Sequence, residues 1–369
     1  MSKHILFVED EATQRDMFES AVTDWNSRNV EAGRLFTFDV ADTVESAQAA
    51  LDRLRYDAAM FDLRVKGNDG GKAQPKGNEL ALFALRQRGV PVAIISANTG
   101  EIEEDVRNAG SVGIFDKTDD QGDGNYYDRA LAWLGDQWDM MDVLAAARNK
   151  MEGSAADIFL LRLWPRWKMF ADLEIADRTE LEKIVTRQYV SHMADLLGLD
   201  DPDNATWHPF ENYVSPALMS SRAHTGDIFR FDGVLWVVLT PQCDMATQKV
   251  ENVLLAKCEH GIEGWIDAVN VQKDGNASNS KLKASTALLR KLLNQNLEAS
   301  KHFLPPLPGE TEAVLVSFSA ILTRPLEDLN GQLEHRVASI ATPFLSNIVQ
   351  RFGSYISRTG QPNIDMARL

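Results

Sequence analysis

The sequence has little cysteine, no long apolar run and no block of basic residues. Its two cysteines, Cys243 and Cys258, cannot build the disulfide framework of a small secreted domain. The N-terminus lacks the basic flank and apolar stretch of a secretory signal, and no apolar run approaches the length of a membrane span. We therefore expect a soluble, cytoplasmic protein without a membrane partner, in which both cysteines stay reduced.

The chain is strongly acidic, with a formal net charge of -16. A field of this sign repels polyphosphate unless a local basic patch outweighs it, so the sequence disfavours nucleic acid as a partner. The composition is otherwise ordinary, with 44% hydrophobic and 25% charged residues. This balance excludes disorder on a large scale, and the length allows about two or three domains.

The first third of the chain alternates apolar, strand-like runs with amphipathic helical segments. This βα alternation is typical of a parallel sheet with helices packed against it. A further helix is expected after Tyr126 and Tyr127. The predicted strands lie near 4–8, 35–40, 57–62, 91–95 and 112–115, and the predicted helices between them lie near 12–26, 43–54, 77–88 and 102–109.

Polar residues follow four of these strands. Glu9 and Asp10 come directly after the first strand, while Asp62, Ser96 and Lys117 end "DAAMFD", "PVAIIS" and "VGIFDK". Because the carboxyl ends of parallel strands meet at one edge of a sheet, we expect these residues to share a pocket. The three carboxylates suit Mg2+, and a metal-neutralised carboxylate can attack an acyl or histidyl phosphate. The lysine would then neutralise phosphoryl oxygens, and the serine hydroxyl would donate to one.

In this order and spacing, the residues resemble the receiver domain of two-component response regulators over roughly residues 1–135. The resemblance implies a flavodoxin-like, doubly wound five-stranded fold. It also implies Glu9 and Asp10 as the acidic pair, Asp62 as phosphoacceptor, Ser96 as the switch hydroxyl and Lys117 as the family's lysine. The implied cofactor is Mg2+, and the implied partner is a sensor histidine kinase or a small acyl-phosphate donor.

The chain departs from the family pattern near the predicted pocket. Val65 stands where the family usually has proline, and the loop 64–77 carries an insertion. This loop either gates access of the phosphodonor, contacts a partner or is a tolerated surface insertion. Thr118 replaces the proline that usually follows the lysine, and Ile114 replaces the aromatic residue of the family's rotation switch. A receiver that only binds partners is the alternative to a phosphorylated one.

The remaining chain is predicted to form a helical connector and an α+β output region. We predict a receiver domain at 1–125, the connector at 126–205 and the output domain at 206–369. In the connector, apolar residues recur at helical spacing, which indicates a core-facing stripe or the seam of a homodimer. They are Leu131, Leu134, Trp138, Met141 and Ala145.

In the output region, apolar residues recur at every second position. This spacing is typical of β-strands and indicates a small β-barrel-like unit. "GDIFRFDGVLWVVLTPQCD" predicts a hairpin that turns at Asp232 and Gly233. Two further strand-like runs, one helix, one strand and a terminal helix follow. They lie near 250–257 and 262–268, then near 282–299, 312–322 and 343–358.

Four residues of the output region could carry chemistry. Cys243 and Asp244 follow one apolar strand, and Cys258 and His260 follow the next. If the strands pair, these residues would form a Cys/His metal site or a thiol nucleophile, although small buried cysteines are commonly part of a core. No P-loop, zinc-protease or serine-hydrolase motif occurs.

Three functions remain open at this point. The favoured one is a phosphorelay regulator that is phosphorylated on Asp62 and signals through protein interaction of its output region. Its receiver would catalyse only its own phosphorylation and dephosphorylation. The second is an enzyme gated by the receiver and built around Cys243, Asp244 and His260. The third is a regulator with an atypical DNA-binding output, against which the acidity of the chain argues.

Overall fold

The computed structural model describes residues 2–66, 76–110, 112–119, 125–171, 177–197, 206–217 and 221–359. The chain divides into two compact units, Met1–Leu181 and Glu182–Leu369, which we call the N-terminal and C-terminal units. The predicted domain boundaries at 125 and 205 stay a prediction. No helix in the described ranges is long and apolar enough to cross a bilayer.

The N-terminal unit is built on a five-stranded parallel sheet. Its strands are β1 (Ser2–Val8), β2 (Leu35–Ala41), β3 (Ala58–Asp62), β4 (Val92–Ser96) and β5 (Val112–Asp116). Their order across the sheet is β2-β1-β3-β4-β5, and each neighbouring pair is parallel. This is the strand order of the flavodoxin-like doubly wound fold, so the predicted fold class is confirmed.

Helices cover both faces of this sheet. They are α1 (Ala12–Asn29), α2 (Val44–Arg53), α3 (Gly77–Phe83) with a π-helical extension (Ala84–Arg88), α4 (Glu104–Arg107) and α5 (Tyr126–Asp136). Leu6 and Val8 of β1 pack in a cluster with residues of α2, α3 and α4, whereas Ile5 and Phe7 pack with residues of α1 and α5. Side chains on both faces of the strand are therefore buried, which explains the continuous apolar runs of the sequence.

Further helices follow the sheet. They are α6 (Trp138–Ile158), a π-helical turn (Phe159–Leu163), a short 3-10 turn (Trp164–Arg166), α7 (Trp167–Ala171) and α8 (Arg178–Leu197). The apolar stripe of the connector is buried against the sheet at four positions, which are Leu131, Leu134, Trp138 and Met141. The stripe is thus part of the core, and the homodimer stays a prediction.

The C-terminal unit contains a seven-stranded antiparallel sheet. Its strands are β6 (Tyr213–Val214), β7 (Asp227–Phe231), β8 (Val234–Val238), β9 (Asn252–Glu259), β10 (Lys301–Leu304), β11 (Val314–Pro325) and β12 (Arg336–Ile340). Their order is β10-β11-β9-β8-β7-β12-β6. The predicted hairpin is confirmed as β7 and β8. Its turn residues Asp232 and Gly233 have φ of 50° and 77°, the left-handed conformation that such a tight turn requires.

Helices of the C-terminal unit correct two predictions. They are α9 (Gln242–Thr247), α10 (Trp265–Lys273), α11 (Asn279–Leu293), α12 (Leu326–Asn330) and α13 (Thr342–Ile356). The strand predicted near 262–268 is wrong, because Trp265 and Ala268 are buried at the spacing of one helical turn. The helix predicted near 282–299 ends earlier, since Gln295 adopts a left-handed φ of 54°.

Candidate functional site

The predicted pocket lies at the carboxyl edge of the parallel sheet. Glu9 and Asp10 directly follow β1, Asp62 and Ser96 end β3 and β4, and Lys117 directly follows β5. Backbone hydrogen bonds continue the sheet to this edge, because the Glu9 amide donates to the Ala41 carbonyl at 3.0 Å and the Lys117 amide to the Ser96 carbonyl at 3.0 Å. The strands therefore position five polar side chains on one edge.

Lys117 joins two of the predicted carboxylates. Its Nζ donates to Asp62 Oδ2 at 2.8 Å and to Glu9 Oε2 at 3.0 Å. The side chains of Lys117, Glu9 and Asp62 are only 15%, 1% and 14% exposed. The other oxygen of Asp62, Oδ1, accepts the backbone N–H of Arg64 at 3.2 Å. Asp62 is thus oriented by a cation on one oxygen and a backbone donor on the other.

Burial controls the ionisation of this cluster. Burial raises the pKa of Glu9, and the nearby Asp62 carboxylate raises it further, although Lys117 acts in the opposite direction. For Lys117, burial lowers the pKa, but attraction to Asp62 and Glu9 outweighs it and the net pKa is raised. The two carboxylates therefore favour the charged ammonium form of Lys117.

Asp10 has a partner that the sequence did not reveal. Lys66 Nζ lies 2.7 Å from Asp10 Oδ2, and the two side chains are 48% and 9% exposed. The hydrogen bond to Asp10 raises the pKa of Lys66. Lys66 is held there by its own backbone, because its carbonyl accepts the Val44 amide at 3.3 Å and the preceding Val65 is fully buried.

The loop after β3 is anchored at both of its described ends. Val65, at the family's proline position, packs in the same apolar cluster as the helices α2 and α3. At the far end, the Gly77 amide donates to the Leu63 carbonyl at 3.0 Å, and a Cβ on Gly77 would lie 2.6 Å from the Asp62 carbonyl oxygen. Only glycine allows this approach. Residues 67–75 of this loop lie outside the described residues, and the predicted role of the insertion stays a prediction.

Thr118 has a defined role in place of the family's proline. Its backbone N–H and its hydroxyl both donate to Asp116 Oδ1, at 2.7 and 2.6 Å. These bonds lower the pKa of Asp116. Proline has no N–H and no hydroxyl, so it could make neither bond.

At the neighbouring strand, Ser96 is buried and its Oγ accepts the Asn98 amide at 3.0 Å.

No protein-family model matches the sequence, and no curated protein sequence matches it significantly. Many of the solved structures that match are response-regulator receiver domains. The N-terminal unit has the receiver fold. The parallel strand order β2-β1-β3-β4-β5 with flanking helices carries this assignment.

Three of these structures illustrate the range. The chemotaxis response regulator CheY4 of Vibrio cholerae is 16% identical, with a TM-score of 0.27, and the match covers 37% of this chain and 98% of that chain. Full-length FixJ from B. japonicum is 18% identical, with a TM-score of 0.29 and coverage of 53% and 88%. The receiver domain of a sensor histidine kinase from Pseudomonas aeruginosa, which has a magnesium ion in its active-site cleft, is 19% identical, with a TM-score of 0.24 and coverage of 32% and 88%. At these identities the likeness concerns the fold alone.

The receiver pocket has the donor set of a magnesium site. Glu9, Asp10 and Asp62 offer carboxylate oxygens, which are the ligands that Mg2+ prefers. Within the described part of the chain, no three His, Cys, Asp or Glu side chains are arranged to hold a metal ion. The structure places Lys117 in contact with Glu9 and Asp62, and Lys66 in contact with Asp10.

Tyr127 is a core residue whose ionisation is affected by the site. It is fully buried, its ring packs edge-on to Phe7, and its hydroxyl donates to Gln14 Oε1 at 3.0 Å. Burial raises its pKa, and the negative charge of Glu9 adds to this effect. The sequence signal was the aromatic pair at the start of α5, which the apolar pattern marks only as the beginning of a helix.

Among the four described candidates of the output region, the structure shows a side-chain contact only between the sequence neighbours Cys243 and Asp244. Cys243 Sγ lies 3.6 Å from Asp244 Oδ1 on the exposed side of α9. Cys258 lies in β9, where it is buried in the core and burial raises its pKa, so its thiolate is disfavoured. His260 lies after β9, with Nδ1 3.7 Å from Glu312 Oε2. These four residues are described, and they form no metal-binding group.

Proposed function

We propose that the chain is a response regulator whose Asp62 accepts a phosphoryl group in the presence of Mg2+. The observation that carries the proposal is the buried contact of Lys117 with both Asp62 and Glu9 at the carboxyl edge of the receiver sheet. This arrangement holds a carboxylate nucleophile, an acid beside it and a fixed cation within one polar cluster. An acyl phosphate or a phosphohistidine of a sensor kinase would be the donor.

The reaction is a displacement at phosphorus by a carboxylate oxygen of Asp62. A bond forms between this oxygen and phosphorus, while the bond from phosphorus to the donor's nitrogen or carboxyl oxygen breaks and its electron pair leaves with the donor. Mg2+, held by Glu9, Asp10 and Asp62, would supply charge that neutralises the phosphoryl oxygens. Mutual repulsion of the reacting anions is thereby reduced.

The chain's own residues receive the new charge. Phosphorylation adds about 1.5 to 2 negative charges at neutral pH. Lys117, already charged and 2.8 Å from Asp62 Oδ2, is placed to move its ion pair to a phosphoryl oxygen. Ser96 would turn its hydroxyl from the Asn98 amide toward a second phosphoryl oxygen. These two shifts would alter the loops that follow β4 and β5 and so signal to the rest of the chain, by protein interaction of the output region.

Labelling with acetyl phosphate tests this proposal. The full chain would be incubated with acetyl phosphate and Mg2+, and intact mass and peptide mapping would locate the phosphoryl group. Asp62→Asn should remove the label. Asp116→Asn is the matched control, because Asp116 is a carboxylate at the same edge of the sheet whose partners are Thr118 and Thr99. A label that persists on Asp62→Asn, or that is lost on Asp116→Asn alone, would show that the assignment is incorrect.

A further inference from the structure

The N-terminal unit has a second cavity, at the edge of the sheet opposite Asp62. Its volume is about 380 Å3, within the usual range for a small-molecule site. Three segments line it: the end of α2 with the residues that lead into β3, the end of the π-helical extension before β4, and one residue of α6. The lining residues are Leu51, Asp52, Arg53, Leu54, Arg55, Tyr56, Gln87, Arg88, Val90 and Arg148.

The charge of this cavity is opposite to that of the whole chain. Four of its lining residues are arginines and one is an acid, whereas the chain carries a net charge of -16. The arginines come from separate elements, since Arg53 ends α2, Arg88 ends the π-helical extension and Arg148 lies in α6. A concave site lined by one sign of charge concentrates ions of the other sign.

Two of the four arginines have no carboxylate partner within the described residues. Arg88 Nη2 lies 2.5 Å from Asp52 Oδ1, and Arg55 pairs with Glu152. Arg148 instead donates to the neutral carbonyl of Gly89. The side chain of Arg53 has no ion pair or hydrogen bond among the residues that the structure describes. The site therefore keeps an excess of about two positive charges, together with guanidinium N–H groups that remain available for acceptors.

The floor of the cavity is apolar and rigid. Leu51, Tyr56 and Val90 are 1%, 4% and 3% exposed. The Tyr56 hydroxyl already donates to Asp39 Oδ2 at 2.9 Å, and its ring stacks on His4, so the ring adds apolar surface and no unpaired polar group. The exposed Leu54 stands at the rim. A ligand that fits this site has a polyanionic end and a small apolar or planar part.

We propose that this cavity binds a small organic polyphosphate of nucleotide size. Guanidinium groups match phosphate oxygens with two parallel hydrogen bonds, which a single ammonium cannot do. Two or more phosphoryl groups would engage Arg53 and Arg148, and the apolar floor would accept the remainder of the ligand. Because Arg148 lies in α6, the bound ligand would bridge this helix to the end of α2. The inference does not depend on phosphorylation of Asp62.

Calorimetric titration of the full chain with pyrophosphate and with ATP tests the inference. The protein would carry Asp62→Asn, and the buffer would contain EDTA, so that a metal-dependent contact at the receiver pocket is removed. Arg53→Gln and Arg148→Gln should each weaken binding about tenfold or more, because each loses a charge-assisted hydrogen bond. ATP should bind more tightly than pyrophosphate, because the apolar floor would contact its nucleoside, and equal affinities would contradict the assignment of an organic ligand.

Arg86→Gln is the matched control, because Arg86 lies two positions before Arg88, pairs with Asp105 at 3.3 Å and does not line the cavity. The Arg86→Gln variant should bind ATP and pyrophosphate with the same affinity as the protein that carries Asp62→Asn alone. Circular dichroism would detect unfolding of the Arg148→Gln variant. The Arg53→Gln variant still tests the inference in that case, because this substitution removes no side-chain hydrogen bond or ion pair within the protein. Three outcomes would overturn the inference. They are no binding of ATP or pyrophosphate, unchanged affinity in both cavity variants, and a polyglutamate peptide that binds as tightly as ATP.

Discussion

Lys66 and Asp10 form an ion pair, 2.7 Å between Nζ and Oδ2, at the edge of the parallel sheet where we propose that Mg2+ binds. The lysine comes from the loop that carries the insertion, and the acid from the end of β1. Together with Lys117, this lysine brings two positive charges to the three carboxylates Glu9, Asp10 and Asp62. Binding of Mg2+ to Asp10 would require this pair to open.

The first prediction concerns competition between Lys66 and Mg2+. Lys66→Ala should raise the affinity for Mg2+, because Asp10 then has no ammonium partner to lose. We expect a change of about two- to fivefold, as is typical of an exposed ion pair. Calorimetric titration with MgCl2 would measure it. Arg64→Gln is the control in the same loop, since its side chain pairs with Glu101 and it keeps the backbone bond to Asp62. A larger gain for the control would contradict the prediction.

The second prediction concerns Lys117. Lys117→Met should lower the free energy of unfolding of the N-terminal unit by about 3 kcal/mol, because Glu9 and Asp62 are left buried without a cation. Added Mg2+ should stabilise this variant more than the wild type, since it restores the missing charge. Urea unfolding with and without MgCl2 would measure both effects. Equal stabilisation of the two proteins by Mg2+ would show that Lys117 does not take the place of the metal.

The third prediction is an acid-dependent loss of stability in the C-terminal unit. His302 is 3% exposed, and its Nδ1 has no hydrogen-bond partner among the described residues. Burial, with a contribution from the nearby Arg351, lowers the pKa of His302 from 6.5 to about 3. Between these values the unfolded chain binds a proton that the folded chain does not, so stability falls as the pH falls below 6.5.

We expect this effect to reach about 2 kcal/mol at pH 5. His302→Gln should flatten the dependence of the urea midpoint on pH between 7 and 5. His335→Gln is the matched control, because His335 is 50% exposed in the same unit, and it should keep the slope of the wild type. If the slope persists in His302→Gln, another group is responsible for it.

The fourth prediction concerns a buried ion pair between β12 and β7. Arg336 Nη1 lies 2.9 Å from Asp227 Oδ2, and the side chains are 6% and 1% exposed. Arg336→Met should destabilise the C-terminal unit by about 3–5 kcal/mol, because it leaves the Asp227 carboxylate buried without its cation. Arg230→Gln should cost less than about 1 kcal/mol, because Arg230 pairs with Glu310 nearer the surface. Thermal unfolding of both variants would compare them, and similar costs would contradict the prediction.

Local patterns of the sequence determined much of the N-terminal unit. The apolar runs are continuous because both faces of the sheet are covered, so each strand could be located from its own residues. Because the sheet is parallel, the carboxyl ends of its strands lie at one edge, and this places Glu9, Asp62 and Lys117 together. The turn at Asp232 and Gly233 was equally local, because it depends on two residues that tolerate a left-handed backbone.

Other features were decided only by the tertiary structure. Period alone did not separate strand from helix in the short run around Trp265, where packing against the core gave a helix. The contact of Lys66 with Asp10 depends on the path of a loop, which no periodicity describes. The cavity joins Arg53, Arg88 and Arg148, which are far apart in the sequence and individually look like ordinary surface residues. The positions of the strand ends can be predicted from local sequence patterns. Contacts between loops and helices cannot, because they depend on how the folded elements pack against one another.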